Sequence, residues 1–327
     1  MRVAQFERFG DPADVLAPAE RPKPEPGPGE IRVRMVLSPI HNHDIWIIRG
    51  TYGHKPALPA VGGSEALGVV DALGPGVAAP AVGQRVVLAG ISGTWGDYFL
   101  APAARAVPLP DAVDDETGCQ LIAMPLSSLM LLEDLAIEPG QWMIQNAANG
   151  AVGKIVAMLA KARGVHVVSL VRRDAGLQEL AALGIDNAVS TETPGWEDRV
   201  RALVGDAPIV RAVDSVGGKD GGRLAGLLAK DGMLMSFGAM SNEPLVINSG
   251  DLIFRGISVK GFWGARRSAE TDHAELGRLI GELVSLAASG GLRLGLEARF
   301  DLSDPAGAAT ASGRPGRTGK IAFSGPA

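Results

Sequence analysis

The stretch "QNAANGAVGK", Gln145 to Lys154, decides how the rest of the chain is read. Its small residues Ala148, Gly150 and Gly153 have the spacing of a dinucleotide-binding turn whose first glycine has become alanine. In such a turn the first small residue permits a tight bend. The second lets backbone approach a pyrophosphate, and the third lets helix and strand pack closely. An apolar strand, "QWMIQ", comes before it, and Val152, Ile155, Val156 and Leu159 recur at helical spacing after it. The free N–H groups and positive dipole end of that helix would therefore meet the loop, where they would stabilise a diphosphate. Turns of this kind also serve packing alone. The strand before, the helix after and a second strand in register favour a nucleotide.

Working outward, the same unit repeats. "VHVVSLV" leads into a helix over Ala175 to Leu183, "IVRAVDSV" and "GMLMSFG" are apolar enough for burial on both faces, "ISVKGFWG" reads as a further strand and Asp272 to Ser289 as a helix. Such alternation builds a parallel sheet with right-handed crossovers. The second strand selects the nucleotide: a site for NAD usually ends it with a carboxylate for the ribose 2′-hydroxyl, but here it ends in Val171, Arg172 and Arg173. Guanidinium groups fork onto a 2′-phosphate, which favours NADPH; the alternative is two solvated surface arginines. Ser236, Phe237 and Gly238 end a later strand, where open α/β sheets bind ligands, so contact with ribose or nicotinamide is expected of them.

The first third has a different texture. "EIRVRMVL" alternates apolar and charged residues, "EALGVVDALG" and "QRVVLAG" are β-rich, and Pro/Gly clusters such as "RPKPEPGPGE" separate them. From about Asp114 longer apolar runs begin, and "ETGCQLIAMPLSSLMLLEDLA" reads as one buried helix. The expected organisation is a mostly-β domain over 1–115, an α/β domain over 116–290, and a tail over 291–327 that packs back on the first domain. Apolar residues make up 46% and charged residues 20% of the 327, with a formal charge of −5. No apolar run is long enough to span a membrane and no basic patch invites nucleic acid, so neither is expected as a partner. With no visible secretory leader, a cytoplasmic protein is expected. The single cysteine, Cys119, excludes an intrachain disulfide and multi-thiolate zinc, and its apolar neighbours point to a buried, inert thiol.

The segments "LPAVGGSEALGVVDALG", "AANGAVG" and "GRTGKIAF", in that order, resemble the medium-chain dehydrogenase/reductase superfamily over essentially the whole chain. "SLVRRD", "SVGG", "MSFGAM" and "VKGFWG" are most similar to the 2-enoyl thioester reductases, with quinone oxidoreductases next. The resemblance implies an α/β fold: a Rossmann-type doubly wound parallel sheet plus a GroES-like mostly-β catalytic domain. It implies a small-molecule substrate, a homodimer joined through the "ISVKGFW" strand, and cofactor contacts along the loop from Asn146 through Ala148, Asn149, Gly150, Ala151 and Val152 to Gly153. Lys320 matches a family lysine near the cofactor. Tyr52 stands where the enoyl thioester reductases carry their proton donor, and Phe262 and Trp263 match the aromatic pair of their acyl pocket. Met124 and Leu129 depart from that branch, which more often has asparagine and tyrosine there.

The superfamily also holds zinc alcohol dehydrogenases, whose usual ligands fall here on His41, Ser64 and Met124. Hydroxyl and thioether are poor zinc ligands, so no metal is expected. The cluster "HNHD" is no better, because residues i and i+2 point apart on a strand and diverge on a helix. Asp44 and Glu65 read as structural pairs at turns. The resulting expectation is a zinc-independent NADPH-dependent reductase of activated C=C bonds, acting on 2-enoyl thioesters of coenzyme A or acyl carrier protein. The alternatives are a quinone or enone reductase on the same scaffold, and a non-catalytic NADPH-binding sensor.

Overall fold

Alternation in the first third becomes strand. In the computed structural model, which describes residues 1–326, the strand Glu30–Pro39 buries Ile31, Val33, Met35 and Leu37 and turns their polar neighbours outward. It is central to a sheet ordered Leu296–Asp301, Lys320–Ser324, Glu30–Pro39, Glu65–Leu73, Arg85–Ala89, Val107–Pro108, with Tyr98–Pro102 also paired to Glu30–Pro39. The pairs are antiparallel except Leu296–Asp301 with Lys320–Ser324. A smaller sheet sets Arg2–Phe6 between Ala17–Glu20 and Ala60–Val61. Phe6, Trp95 and Phe323 are among the largest fully buried side chains, the last two with ring centroids 5.1 Å apart. The tail strand joins in register, Phe323 opposite Ser38.

This β unit comprises Met1–Ala123 and Ile280–Ala327; the α/β unit comprises Met124–Leu279. The division falls later than the change of texture near residue 115, for a physical reason. The Glu65 carboxylate accepts the backbone N–H groups of Ile122 at 2.7 Å and Ala123 at 2.9 Å, and Gln120 Nε2 donates to the Leu294 carbonyl at 3.0 Å, which ties residues 115–123 to the β unit. The single helix expected over this segment is in fact two, Asp115–Gly118 and Ala123–Leu135. Pro125 has no N–H and its ring would clash inside a continuous helix, but it is tolerated in a first turn.

In the α/β unit six strands follow the chain: β1 Trp142–Gln145, β2 His166–Val171, β3 Ala188–Ser190, β4 Ile209–Asp214, β5 Met233–Ser236 and β6 Ser258–Gly261. They form one parallel sheet in the order β3-β2-β1-β4-β5-β6. Helix α1, Ala151–Ala162, follows β1, and α2, Ala175–Ala182, follows β2. Strand order reverses between β1 and β4, so the carboxyl ends of these two strands mark the place where such sheets bind ligands. The order is that of the Rossmann-type sheet.

Candidate active site

At the reversal point the chain is clasped. Asn146 Nδ2 donates to Asp214 Oδ1 at 2.6 Å, and Asn146 Oδ1 accepts the N–H of Ser215 at 2.8 Å. The fully buried Asp214 also accepts the N–H groups of Val216 and Gly217. A buried carboxylate needs such donors. Asn146, expected at the cofactor, thus has its side chain committed to joining the ends of β1 and β4.

Beyond the clasp the loop turns through Ala147, whose φ of +48° is unusual for an L-residue; its carbonyl accepts the N–H of Gly150 at 2.9 Å. Ala148 is fully buried and donates to the Leu170 carbonyl at 3.0 Å. A Cβ on Gly153 would stand 2.6 Å from Ala148 Cα and 2.7 Å from the Ala147 carbonyl oxygen, so the close approach of α1 to the loop requires glycine there. Gly150 caps α1 with no side-chain hydrogen bond, and the first helical bond is Lys154 N–H to Gly150 O. The N–H groups of Ala151, Val152 and Gly153 consequently remain for an anion.

Lys154 and Glu179, which sequence reasoning missed, hold this loop. Lys154, buried despite its charge, pairs with Glu179 of α2, and Asn149 Nδ2 donates to the other Glu179 oxygen at 3.2 Å. Lys154 was hidden by its position, since a lysine in the first turn of a helix ordinarily reads as solvated surface. At the end of β2, Arg172 and Arg173 are exposed and neither makes an ion pair or side-chain hydrogen bond among the described residues. Two unneutralised guanidiniums beside an uncapped helix N-terminus can receive a dinucleotide bearing a 2′-phosphate. Ser236, Phe237 and Gly238 leave β5 across the same end of the sheet: Phe237 and Gly238 donate to the Asp214 carbonyl, and a Cβ on Gly238 would meet Ser215 O at 2.7 Å. Phe262 stacks on Phe237 at 5.7 Å, whereas its neighbour Trp263 is 59% exposed.

In the β unit, Tyr52 lies just beyond the helix Asn42–Arg49, its ring 6.4 Å from Trp46 and 6.1 Å from His43. His41 and His43 do not diverge as expected. His41 precedes the helix with extended backbone, φ −96° and ψ 157°, and this brings its ring parallel to that of His43 with centroids 5.0 Å apart. Beneath them Asp44 Oδ2 accepts the His41 N–H at 2.9 Å, Ser64 Oγ donates to Asp44 Oδ1 at 2.6 Å, and His43 Nε2 meets Ser64 Oγ at 2.6 Å. His41 Nε2 meets Glu65 Oε2 at 2.7 Å. Burial pushes Glu65 up to about 7 against the pull of the Ala123 and Ile122 N–H groups, and drives His41 well below the usual imidazole range. Lys320 is no solvated terminal lysine: it is half-buried, and desolvation lowers it to about 8 although Glu65 and Asp44 oppose the shift. Cys119 is fully buried, its thiol raised by desolvation.

The chain can be compared with known proteins on this footing. Residues 27–111 match the family model of the alcohol dehydrogenase GroES-like domain and residues 151–280 that of the zinc-binding dehydrogenases. The mitochondrial enoyl-[acyl-carrier-protein] reductase of Homo sapiens is 30% identical over 96% of this chain and 86% of its own length; that of Xenopus tropicalis is 32% identical over 88% and 85%. The crystal structure of Escherichia coli quinone oxidoreductase complexed with NADPH superposes with a TM-score of 0.87 at 26% identity, covering 99% of this chain and 100% of that one. The second family description implies zinc, but the residues do not fit it. His41 Nε2 is committed to Glu65, Ser64 gives its proton to Asp44, and among the described residues no three His, Cys, Asp or Glu side chains converge as a metal-holding group. The chain belongs to the medium-chain dehydrogenase/reductase superfamily, in the zinc-free branch that contains the enoyl reductases and quinone oxidoreductases.

Proposed function

We propose that this protein is an NADPH-dependent reductase of activated carbon–carbon double bonds, and that its substrate is a 2-enoyl thioester of coenzyme A or acyl carrier protein. The observation that carries the cofactor is the unpaired Arg172–Arg173 end of β2 next to the uncapped start of α1. The thioester is supported by relatives named enoyl-[acyl-carrier-protein] reductase that match along nearly the whole chain. When bound, NADPH supplies the hydride that reduces the β-carbon. The N–H groups of Ala151, Val152 and Gly153 hold pyrophosphate, with Asn149 and Lys154 fixed by Glu179, and Arg172 and Arg173 neutralise the 2′-phosphate. Ser236, Phe237 and Gly238 line the nicotinamide end, and Phe262 with Trp263 gives the acyl chain an apolar wall. Lys320 adds positive charge for the cofactor. Tyr52 is the acid: its phenol donates a proton to the α-carbon of the enolate, whose carbon is the stronger base.

A quinone or enone acceptor is the second reading, supported by the likeness to the Escherichia coli quinone oxidoreductase. The two separate when NADPH oxidation is followed with crotonyl thioester and with a simple quinone. A working thioester reaction that falls about a hundredfold in Tyr52→Phe is expected. An inert thioester beside a reactive quinone overturns the acyl reading, and unchanged turnover in Tyr52→Phe removes the acid. A homodimer belongs to the same reading: the four residues of β6 are exposed at the sheet edge, and Phe254 in the helix that precedes it is 82% exposed. The single thiol, free and buried, suits a reducing compartment such as the cytoplasm. No helix among the described residues is long and apolar enough to cross a membrane.

A further inference from the structure

Tyr52 has a second proton-bearing side chain beside it. The hydrogen bonds under His43 run in one direction only. Asp44 is an acceptor at both oxygens, taking the His41 N–H on Oδ2 and the Ser64 hydroxyl on Oδ1. Having given its one proton to Asp44, Ser64 must accept at Oγ, so His43 carries a proton on Nε2 and donates it across 2.6 Å. His43 Nε2 is also 3.6 Å from Asp44 Oδ1, which is 2% exposed, so a positive imidazolium would find its counter-charge already in place. With Nε2 occupied, Nδ1 is the nitrogen left to gain or lose a proton. The ring has His41 stacked on it at 5.0 Å and Tyr52 at 6.1 Å, and a fifth of the side chain remains open to solvent. The other charged groups of the cluster are Glu65, bonded to His41, and Lys320, close enough to act on both His41 and Glu65. His41 is held neutral by burial, so it places no positive charge against His43.

We propose that His43, oriented by Ser64 and Asp44, returns a proton to Tyr52 between turnovers. After the phenol has protonated the substrate, a phenolate remains. The Nδ1–H bond of the His43 imidazolium breaks, the phenol O–H forms again, and the neutral imidazole takes a new proton from solvent at its exposed edge. No oxidant or reductant enters this step. It rests on Tyr52 as the acid, and the experiment below separates the two.

His43→Gln keeps a donor near the Nε2 position for Ser64 but carries no exchangeable charge. In rapid mixing of the NADPH-loaded protein with crotonyl thioester, the first turnover of His43→Gln should match the wild type, because Tyr52 starts protonated. Later turnovers should slow about tenfold or more, with KM within about twofold. A His43→Gln protein that is slow from the first turnover has lost structure rather than proton return, and one that cycles like the wild type needs no His43; either result overturns the inference. If Tyr52→Phe is fully active the acid itself is wrong, and if no acceptor is reduced the proposed function is wrong. A third arm needs no turnover: imidazole nitrogen shifts of the unliganded protein should show His43 protonated on Nε2, and this preference should vanish in Ser64→Ala. A neutral ring carrying its proton on Nδ1 alone, with Nε2 bare toward Ser64, overturns the inference directly.

Discussion

Glu65 is a carboxylate removed from water, and its titration is coupled to folding. Raised from 4.5 to about 7, it keeps its proton in the native protein where the unfolded chain has lost it. Between these values the native state binds more protons, so stability falls as pH rises, by about 3 kcal/mol for the full shift. Lys320 is lowered from 10.5 to about 8, so over that window the unfolded chain binds more protons and stability rises with pH. Urea midpoints measured across pH should therefore pass through a minimum between about 7 and 8, and Glu65→Gln should remove the acid-side slope. Arg172→Ala and Arg173→Ala should each weaken NADPH about ten- to a hundredfold by calorimetry and leave NADH unaffected, because a charge-assisted bond to the 2′-phosphate is worth about 1.5 to 3 kcal/mol. The place of the arginine pair, exposed at the end of β2, was legible because it depends only on where the strand ends. The His43, Ser64 and Asp44 string was not, because it joins a helix start to a residue twenty positions away and relies on the extended backbone of His41.

Elements were read best where periodicity alone decides them. The strands around "QWMIQ" and "VHVVSLV" and the helix after Gly150 are written in apolar spacing, and α1 and α2 start at Ala151 and Ala175, where that spacing puts them. The expected helix over residues 116–136 failed because its break is imposed from outside: Glu65, on a distant strand, supplies the acceptor for the second helix's first N–H groups. Sequence spacing cannot show a cap that comes from another element. The packing of α1 on its loop is sharper still. Gly153→Ala puts a methyl against backbone that cannot turn aside, so a loss of about 1 to 3 kcal/mol by chemical denaturation is expected, together with weaker NADPH binding.

For the molecule as a whole, β6 presents an unpaired strand edge, and the helix Ser249–Arg255 that precedes it exposes Ile253 and Phe254 to 70% and 82%. A surface of that kind invites a second copy. Light scattering at micromolar concentration should give twice the chain mass of 33.8 kDa, and Phe254→Asp with Ile253→Asp should shift it to one. A monomeric wild type would remove the dimer. The broad division into β and α/β halves was plain from composition and pattern. Which residues between 115 and 123 go with which half was not, since long-range hydrogen bonds decide it, among them those from Ile122 and Ala123 to Glu65 and from Gln120 to Leu294.

Ala147 has one more consequence. An L-residue at φ +48° costs about 1 kcal/mol, and it is held there by the bond from Gly150 and by neighbours packed to contact. Glycine would take that φ without strain, so the bend depends on those contacts to keep an alanine in it.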